Sequence, residues 1–152
     1  MDTKEAPLKE EVDKTTQPTT PRPARRGDVD PQQTALAIAA AGFDKKAQRI
    51  EIIDVRGKVD YADYVVIMSG RSDRQVNAIA DGIRTTLKRE QGQPCYGVEG
   101  LPQGSWVLMD FGDVIVHIFH QDTRGYYDLE ALWIDAARVD VGFAQDEGAL
   151  PR

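Results

Sequence analysis

Beyond Asp30 the apolar residues of this chain recur at two distinct periods, helical and strand-like; before it they follow neither. Asp30-Pro31-Gln32-Gln33 predicts a helix start: an N-cap acceptor, a proline at the first helical position, and a glutamine placed to close a capping box. Leu36, Ile38 and a run of alanines carry that helix to about Lys45. Arg49 to Val55, reading RIEIIDV, predicts a strand, and the apolar run YVVIMS at Tyr64 to Ser69 predicts a central strand buried on both faces. Ser72-Asp73-Arg74-Gln75 is a second capping box. Val76, Ile79, Ala80, Ile83 and Leu87 follow it at helical spacing, with Arg74, Asp81, Arg84 and Lys88 on the opposite side and a stop at Gly92. Gly82 costs this helix roughly 1 kcal/mol relative to alanine, which points to a close contact with the sheet.

Cys95 to Val98 predicts a further strand, ended by the Gly100 to Gly104 loop. Ser105 to Phe111 and Val114 to His120 form the clearest hairpin, joined through Gly112-Asp113, a pair suited to a two-residue type II′ turn. In that register Phe111 faces Val114, Met109 faces Val116 and Val107 faces Ile118, an apolar face for the core. The other face pairs Asp110 with Ile115, Leu108 with His117, and Trp106 with Phe119. A terminal helix over about Thr123 to Ile134 brings Tyr127, Leu129, Leu132 and Trp133 to the end of the domain, and polar residues beyond Val141 predict fraying over 142–152. The expected fold is α/β: a compact single domain over 30–141 with a mixed five-stranded sheet packed by helices.

Composition separates this domain from what precedes it. All eleven aromatics fall between Phe43 and Phe143, whereas five of the eight prolines fall in the first 31 residues. Residues 1–29 hold too little apolar surface to offset the entropy of ordering and are expected to form a disordered tail. Positions 31–152 retain 13 basic and 18 acidic side chains. Such a balance gives no chain-wide basic footprint, so no dedicated nucleic-acid site is expected. No apolar stretch is long enough to span a bilayer, and the start resembles neither a signal nor a transit peptide, so a cytoplasmic chain is expected. The single cysteine, Cys95, fits a reducing compartment and reads as a small buried strand residue.

Several constellations invite chemistry. Asp110-Phe111-Gly112 spells the magnesium tripeptide of protein kinases, but the glycine-rich loop and the Lys/Glu pair are missing and the glycine serves a hairpin turn. His117 and His120 lie three apart on a strand and so point to opposite faces, which disfavours joint metal ligation. Asp54, Asp63, Asp110 and Asp113 contain no tight Asp-x-Asp pair for a two-metal site. Ser69-Gly70-Arg71-Ser72 leads into a helix N-terminus where backbone N–H groups, helped by Arg71 and Arg74, would accept a phosphate; helix capping accounts for the same residues. Trp106 and Phe119 are core if helices cover both sheet faces, and an aromatic hot spot rimmed by Asp110 and His117 if this face is open. Spacing alone leaves both readings standing.

Taken together, DKKAQRIEIIDVRGK at 44–58, DYVVIMSGRSDRQVNAIAD at 63–81, VEG at 98–100, WVLMDFGDVIVHIF at 106–119 and YYDLEALW at 126–133 resemble the ribosomal silencing factor family, also called the RsfS or Iojap family. The resemblance runs from Ala35 to Val141. It implies a nucleotidyltransferase-like fold without the catalytic carboxylates, hence a chain that is not an enzyme and needs no metal or other cofactor. It further implies binding to large-subunit ribosomal protein L-fourteen, a steric block to joining of the ribosomal subunits, repressed translation, and relatives that form homodimers. Mapped here, the partner-binding residues are Trp106, Leu108, Asp110, Phe111, Asp113, His117 and Phe119; Tyr127 and Trp133 are expected to pack first and contact a partner second. The alternatives are a nucleotide-binding or nucleotidyl-transferring enzyme built on Ser69 to Arg74 with Asp110 and Asp113, and a large-subunit assembly factor.

Overall fold

Asp30 caps the first helix, its carboxylate accepting from the Gln32 amide at 3.1 Å, and α1 runs from Pro31 to Asp44. The computed structural model describes residues 30–145. The tail expected over 1–29 lies outside these residues, as do positions 146–152. After α1 come β1 (Gln48–Asp54), β2 (Tyr64–Gly70), α2 (Asp73–Gln91), β3 (Gly97–Glu99), β4 (Trp106–Asp110), β5 (Val114–His120), α3 (Gln121–Tyr127), a 3₁₀ turn (Leu129–Trp133) and β6 (Arg138–Val139). At the start of α2 the Ser72 hydroxyl accepts from the Gln75 amide at 3.1 Å. The other half of this box is displaced by one residue: Gln75 Oε1 accepts from the Arg71 amide, and its Nε2 donates to the Lys45 and Lys46 carbonyls. Gln75 thus ties the end of α1 to the start of α2.

The sheet has the order β3-β4-β5-β2-β1-β6, with β2 and β5 parallel and the other neighbours antiparallel. Strand alternation sorts side chains onto two faces. Ile52, Val66, Met68, Val107, Met109, Val116 and Ile118 face Ile38, Val76, Ile79, Ile83 and Leu87 of α1 and α2. On the reverse face Ile53, Val65, Ile67 and Phe119 pack with Trp133 and Ala136 from the C-terminal segment. β2 is central and buried along its whole length, as its uninterrupted apolar run predicts.

The hairpin has the predicted register, from Trp106 opposite Phe119 to Asp110 opposite Ile115. Gly112 has φ 89° and Asp113 is not left-handed, so the turn is II′ and not I′. The Phe111 amide closes it on the Val114 carbonyl at 2.9 Å.

Four expectations change. There are six strands, because Arg138 and Val139 pair with Ile53 and Ile52; two residues are too few to leave an alternating pattern. The terminal helix is broken at Asp128, which is left-handed at φ 48°, into α3 and the 3₁₀ turn. Cys95 precedes β3 and is only partly buried, its thiol donating to the Gly97 carbonyl. A Cβ on Gly82 would meet the stem of Lys45 at 2.7 Å, so the close contact there is with the end of α1 and not the sheet. Residues 142–145, at the start of the segment expected to fray, make contacts with the domain. Phe143 stacks on Phe43 at 4.3 Å, and Gln145 bonds both the amide and the carbonyl of Ile50, which the bulge between Gln48 and Glu51 takes out of the regular ladder.

Candidate partner-binding surface

The reverse face of β4 and β5 carries Trp106, Leu108 and Asp110 beside Ile115, His117 and Phe119. Trp133 and the 3₁₀ turn cover this face near β1 and β2, and Trp106, Leu108, Asp110 and Ile115 keep part of their surface exposed. Phe119 is 0% exposed and lies 4.8 Å, ring to ring, from Trp106. Tyr127 from α3 meets the same indole at 4.7 Å. The indole N–H donates to His117 Nδ1 at 3.0 Å, which requires a neutral ring protonated at Nε2. Burial favours that state, pushing the His117 pKa down to about 4. Trp106 is therefore fixed at three points while its edge stays accessible, an arrangement that limits the entropy lost when a partner docks.

Backbone conformation supports the tryptophan from below. Gly100 has φ 99°, and a Cβ there would strike the Trp106 carbonyl. Gly100→Ala is expected to destabilise the domain by about 2 kcal/mol, through an unfavourable backbone region and displacement of the loop. Equilibrium urea unfolding monitored by tryptophan fluorescence tests this.

The structure divides the seven residues assigned to this surface. Trp106, Leu108, Asp110 and Asp113 are accessible. Phe111 is 1% exposed and packs in the α1/α2 core, Phe119 lies under the indole, and His117 is 8% exposed. As they stand here Phe111, Phe119 and His117 offer a partner little surface; Phe119 and His117 pack against the Trp106 indole, whereas Phe111 belongs to the core on the other face. Two residues join it. Ile115 alternates onto the open face from the middle of the hairpin, and Tyr127, which packs on the Trp106 indole as expected, is still 52% exposed. Tyr126, Leu132 and Ile134 are also well exposed on the segment that follows β5.

Other candidates resolve into structural roles. His120 turns away from His117 and caps α3, its Nδ1 accepting from the Asp122 amide. Among the described residues no three His, Cys, Asp or Glu side chains come together as a metal site. At the entrance to α2 the Ser69 hydroxyl accepts from Arg124, the Ser72 hydroxyl caps the Gln75 amide, and the Arg71 amide is held by Gln75. The hydroxyls and two amides of that cradle are engaged within the protein.

A residue that pattern reading missed is Arg124, 1% exposed at the foot of β2. Its Nε donates to Glu130 at 2.8 Å and its Nη1 to the Arg49 carbonyl and the Ser69 hydroxyl at 2.6 and 2.9 Å; Nη2 lies 3.5 Å from Glu51. Burial pulls its pKa down, yet a guanidinium starts far enough above neutrality to remain charged. Glu130 is held below the usual carboxylate range by that charge, despite its own desolvation. Arg124 joins α3, and with it Tyr127, to the ends of β1 and β2.

This fold and face define a small α/β domain with an aromatic hairpin rimmed by carboxylates. The family model described as "Ribosomal silencing factor during starvation" matches residues 28–150, and the chain belongs to that family. It is 44% identical over 117 residues to the ribosomal silencing factor of Bacillus subtilis, covering 76% of this chain and 98% of the relative. Against the Zymomonas mobilis factor it is 39% identical, covering 76% and 86%. A crystal structure of a Chromobacterium violaceum protein superposes with TM-score 0.67 at 31% identity, covering 78% of this chain and 98% of that one. No helix among the described residues is long and apolar enough to cross a membrane.

Proposed function

We propose that this chain represses translation by binding ribosomal protein L-fourteen on the large subunit and occluding the surface that the small subunit needs. Family membership supports a silencing role. The observation that carries the partner reading is the open hairpin face, where Trp106, Leu108 and Ile115 present an apolar centre flanked by Asp110 and Asp113. Ribosomal proteins are basic, so the carboxylates steer the encounter while the immobilised indole supplies the desolvated anchor. Steric exclusion requires occupancy and no turnover.

Leu108→Asp is the cleaner test, since Leu108 lacks the triple support of Trp106; Trp106→Glu is its companion. Both are expected to weaken capture of purified ribosomal protein L-fourteen, and co-sedimentation with free large subunits, at least tenfold while the circular dichroism spectrum is retained. Undiminished capture by folded Leu108→Asp removes this face from the mechanism.

A further inference from the structure

Burial in α3 is inverted. A helix lying on a domain turns its aromatic residues inward and its charges to water. The one side chain that α3 buries is Arg124, while Tyr126 and Tyr127 are 82% and 52% exposed. Their rings are contiguous with the hairpin. Tyr126 meets Tyr127 edge to face at 5.0 Å, Tyr127 meets the Trp106 indole at 4.7 Å, and the indole lies 4.8 Å from Phe119. A ladder of rings thus leads from the core, across the hairpin, onto the outer side of α3. Arg124 anchors the helix through Glu130, the Ser69 hydroxyl and the Arg49 carbonyl, so the outer rings are carried by a fixed backbone. The segment bearing them also has one sign of exposed charge. Over 121–135 Asp122, Asp128 and Asp135 are exposed, and the cation, Arg124, is buried. Asp135 pairs with Lys58 and Asp122 lies 3.9 Å from His120, whereas Asp128 has no ion pair among the described residues. Arg49 is drawn to Glu130, and the guanidinium that lies over a ring among the described residues is Arg56, on Tyr64.

Packing accounts for Tyr127 in part, since it covers the indole. It does not account for Tyr126, whose ring contact among the described residues is with Tyr127 alone. We infer that Tyr126 and Tyr127, with Asp128 next to them in the chain, form a subsite that takes an arginine or lysine side chain of the basic protein engaged by the hairpin. This rests on the preceding reading of the hairpin, and it names the chemistry by which the same partner is gripped beyond Trp106. A phenol face attracts a cation through its quadrupole, and a guanidinium also stacks flat on it. Two exposed rings without a cation over them, followed by a carboxylate without an ion pair, offer both attractions to one side chain. Tyrosines held on an anchored helix also lose little conformational entropy when they are covered. A purely apolar occupant would bury Asp128 without a counter-charge, which is costly. A symmetric contact between two copies of this chain would set the same acids against each other. A basic protein incurs neither penalty.

Tyr126→Leu and Tyr126→Phe, made in the full chain, separate the aromatic face from apolar area. Tyr126 lies outside the core and leucine is a good helix former, so both variants are expected to keep the wild-type circular dichroism spectrum. In calorimetric titration with purified ribosomal protein L-fourteen, Tyr126→Leu is expected to bind about fivefold more weakly and Tyr126→Phe to stay within about twofold of wild type. Asp128→Asn keeps a side chain tolerant of the left-handed backbone at φ 48°. It is expected to slow association about threefold and to make the rate less sensitive to salt. Wild-type affinity in Tyr126→Leu overturns the inference. Equal losses in the leucine and phenylalanine variants overturn it too, because they assign the contact to the phenol hydroxyl. So does a lowered sedimentation coefficient in Tyr126→Leu at unchanged L-fourteen affinity, which assigns the rings to a second copy of the chain. Failure of the hairpin reading shows separately, as undiminished L-fourteen capture by Leu108→Asp.

Discussion

Arg124→Leu is expected to lower the unfolding free energy by about 3–5 kcal/mol, enough to unfold a sizeable fraction of a marginally stable domain. The leucine fills much of the same volume but leaves Glu130, the Ser69 hydroxyl and the Arg49 carbonyl without the donors that satisfy them. A largely buried carboxylate left with only Arg49, at 4.0 Å, as its counter-charge dominates the loss. Arg124→Lys keeps the charge but not the fork. One ammonium cannot reach Glu130, Ser69 and Arg49 together with the geometry of a guanidinium, so an intermediate loss is expected. Urea denaturation at pH 7 measures both, and Arg124→Leu/Glu130→Leu is expected to recover part of the stability by removing the orphaned acid. If Arg124→Leu unfolds at the wild-type midpoint, the ionic cluster is not what anchors α3. Because α3 carries Tyr127 to the indole of Trp106, the leucine variant is also expected to loosen the hairpin surface.

The elements legible in the sequence were those whose cause is local. Gly112 sets a II′ turn, the turn sets the register, and the register separates Val107, Met109 and Phe111 from Trp106, Leu108 and Asp110. Whether Trp106 and Phe119 belong to core or surface was not local. It depends on how far Trp133 and the 3₁₀ turn extend over the reverse face, and they cover it only in part. The outcome is divided: Phe119 is enclosed because Trp106 lies on it, and Trp106 remains accessible because nothing among the described residues covers its outer edge completely. Arg124 gave no signal, since an arginine within Gln121-Asp122-Thr123-Arg124 reads as solvated. Its burial is produced by Arg49, Ser69 and Glu130, which arrive from three separate segments. Gln145 is similar, polar in a polar stretch and yet paired with Ile50 at the β1 bulge.

Acid is expected to weaken the domain through His117 well before the carboxylates are fully protonated. Its folded pKa of about 4 lies below the ordinary value of 6.5, because burial disfavours the imidazolium. A depressed folded pKa means that the unfolded chain binds the proton more readily. The corresponding stability is present above pH 6.5 and is lost as pH falls towards 4. Between pH 7.5 and 4.5 the loss from this group amounts to about 2.5 kcal/mol. Protonation also places a hydrogen on Nδ1, the atom that accepts from the Trp106 indole, so the bond that fixes the anchor is broken as the charge appears. His117→Gln keeps an acceptor and cannot titrate. It is expected to flatten the dependence of unfolding free energy on pH by about that 2.5 kcal/mol across the same window, with the carboxylate contribution common to both proteins. The indole emission of folded wild type is expected to shift between about pH 5 and 3, around the folded pKa of about 4, while that of the variant stays constant. Parallel pH profiles for the two proteins would show that His117 is hydrated enough to titrate normally, and that its bond to Trp106 does not hold the indole in place.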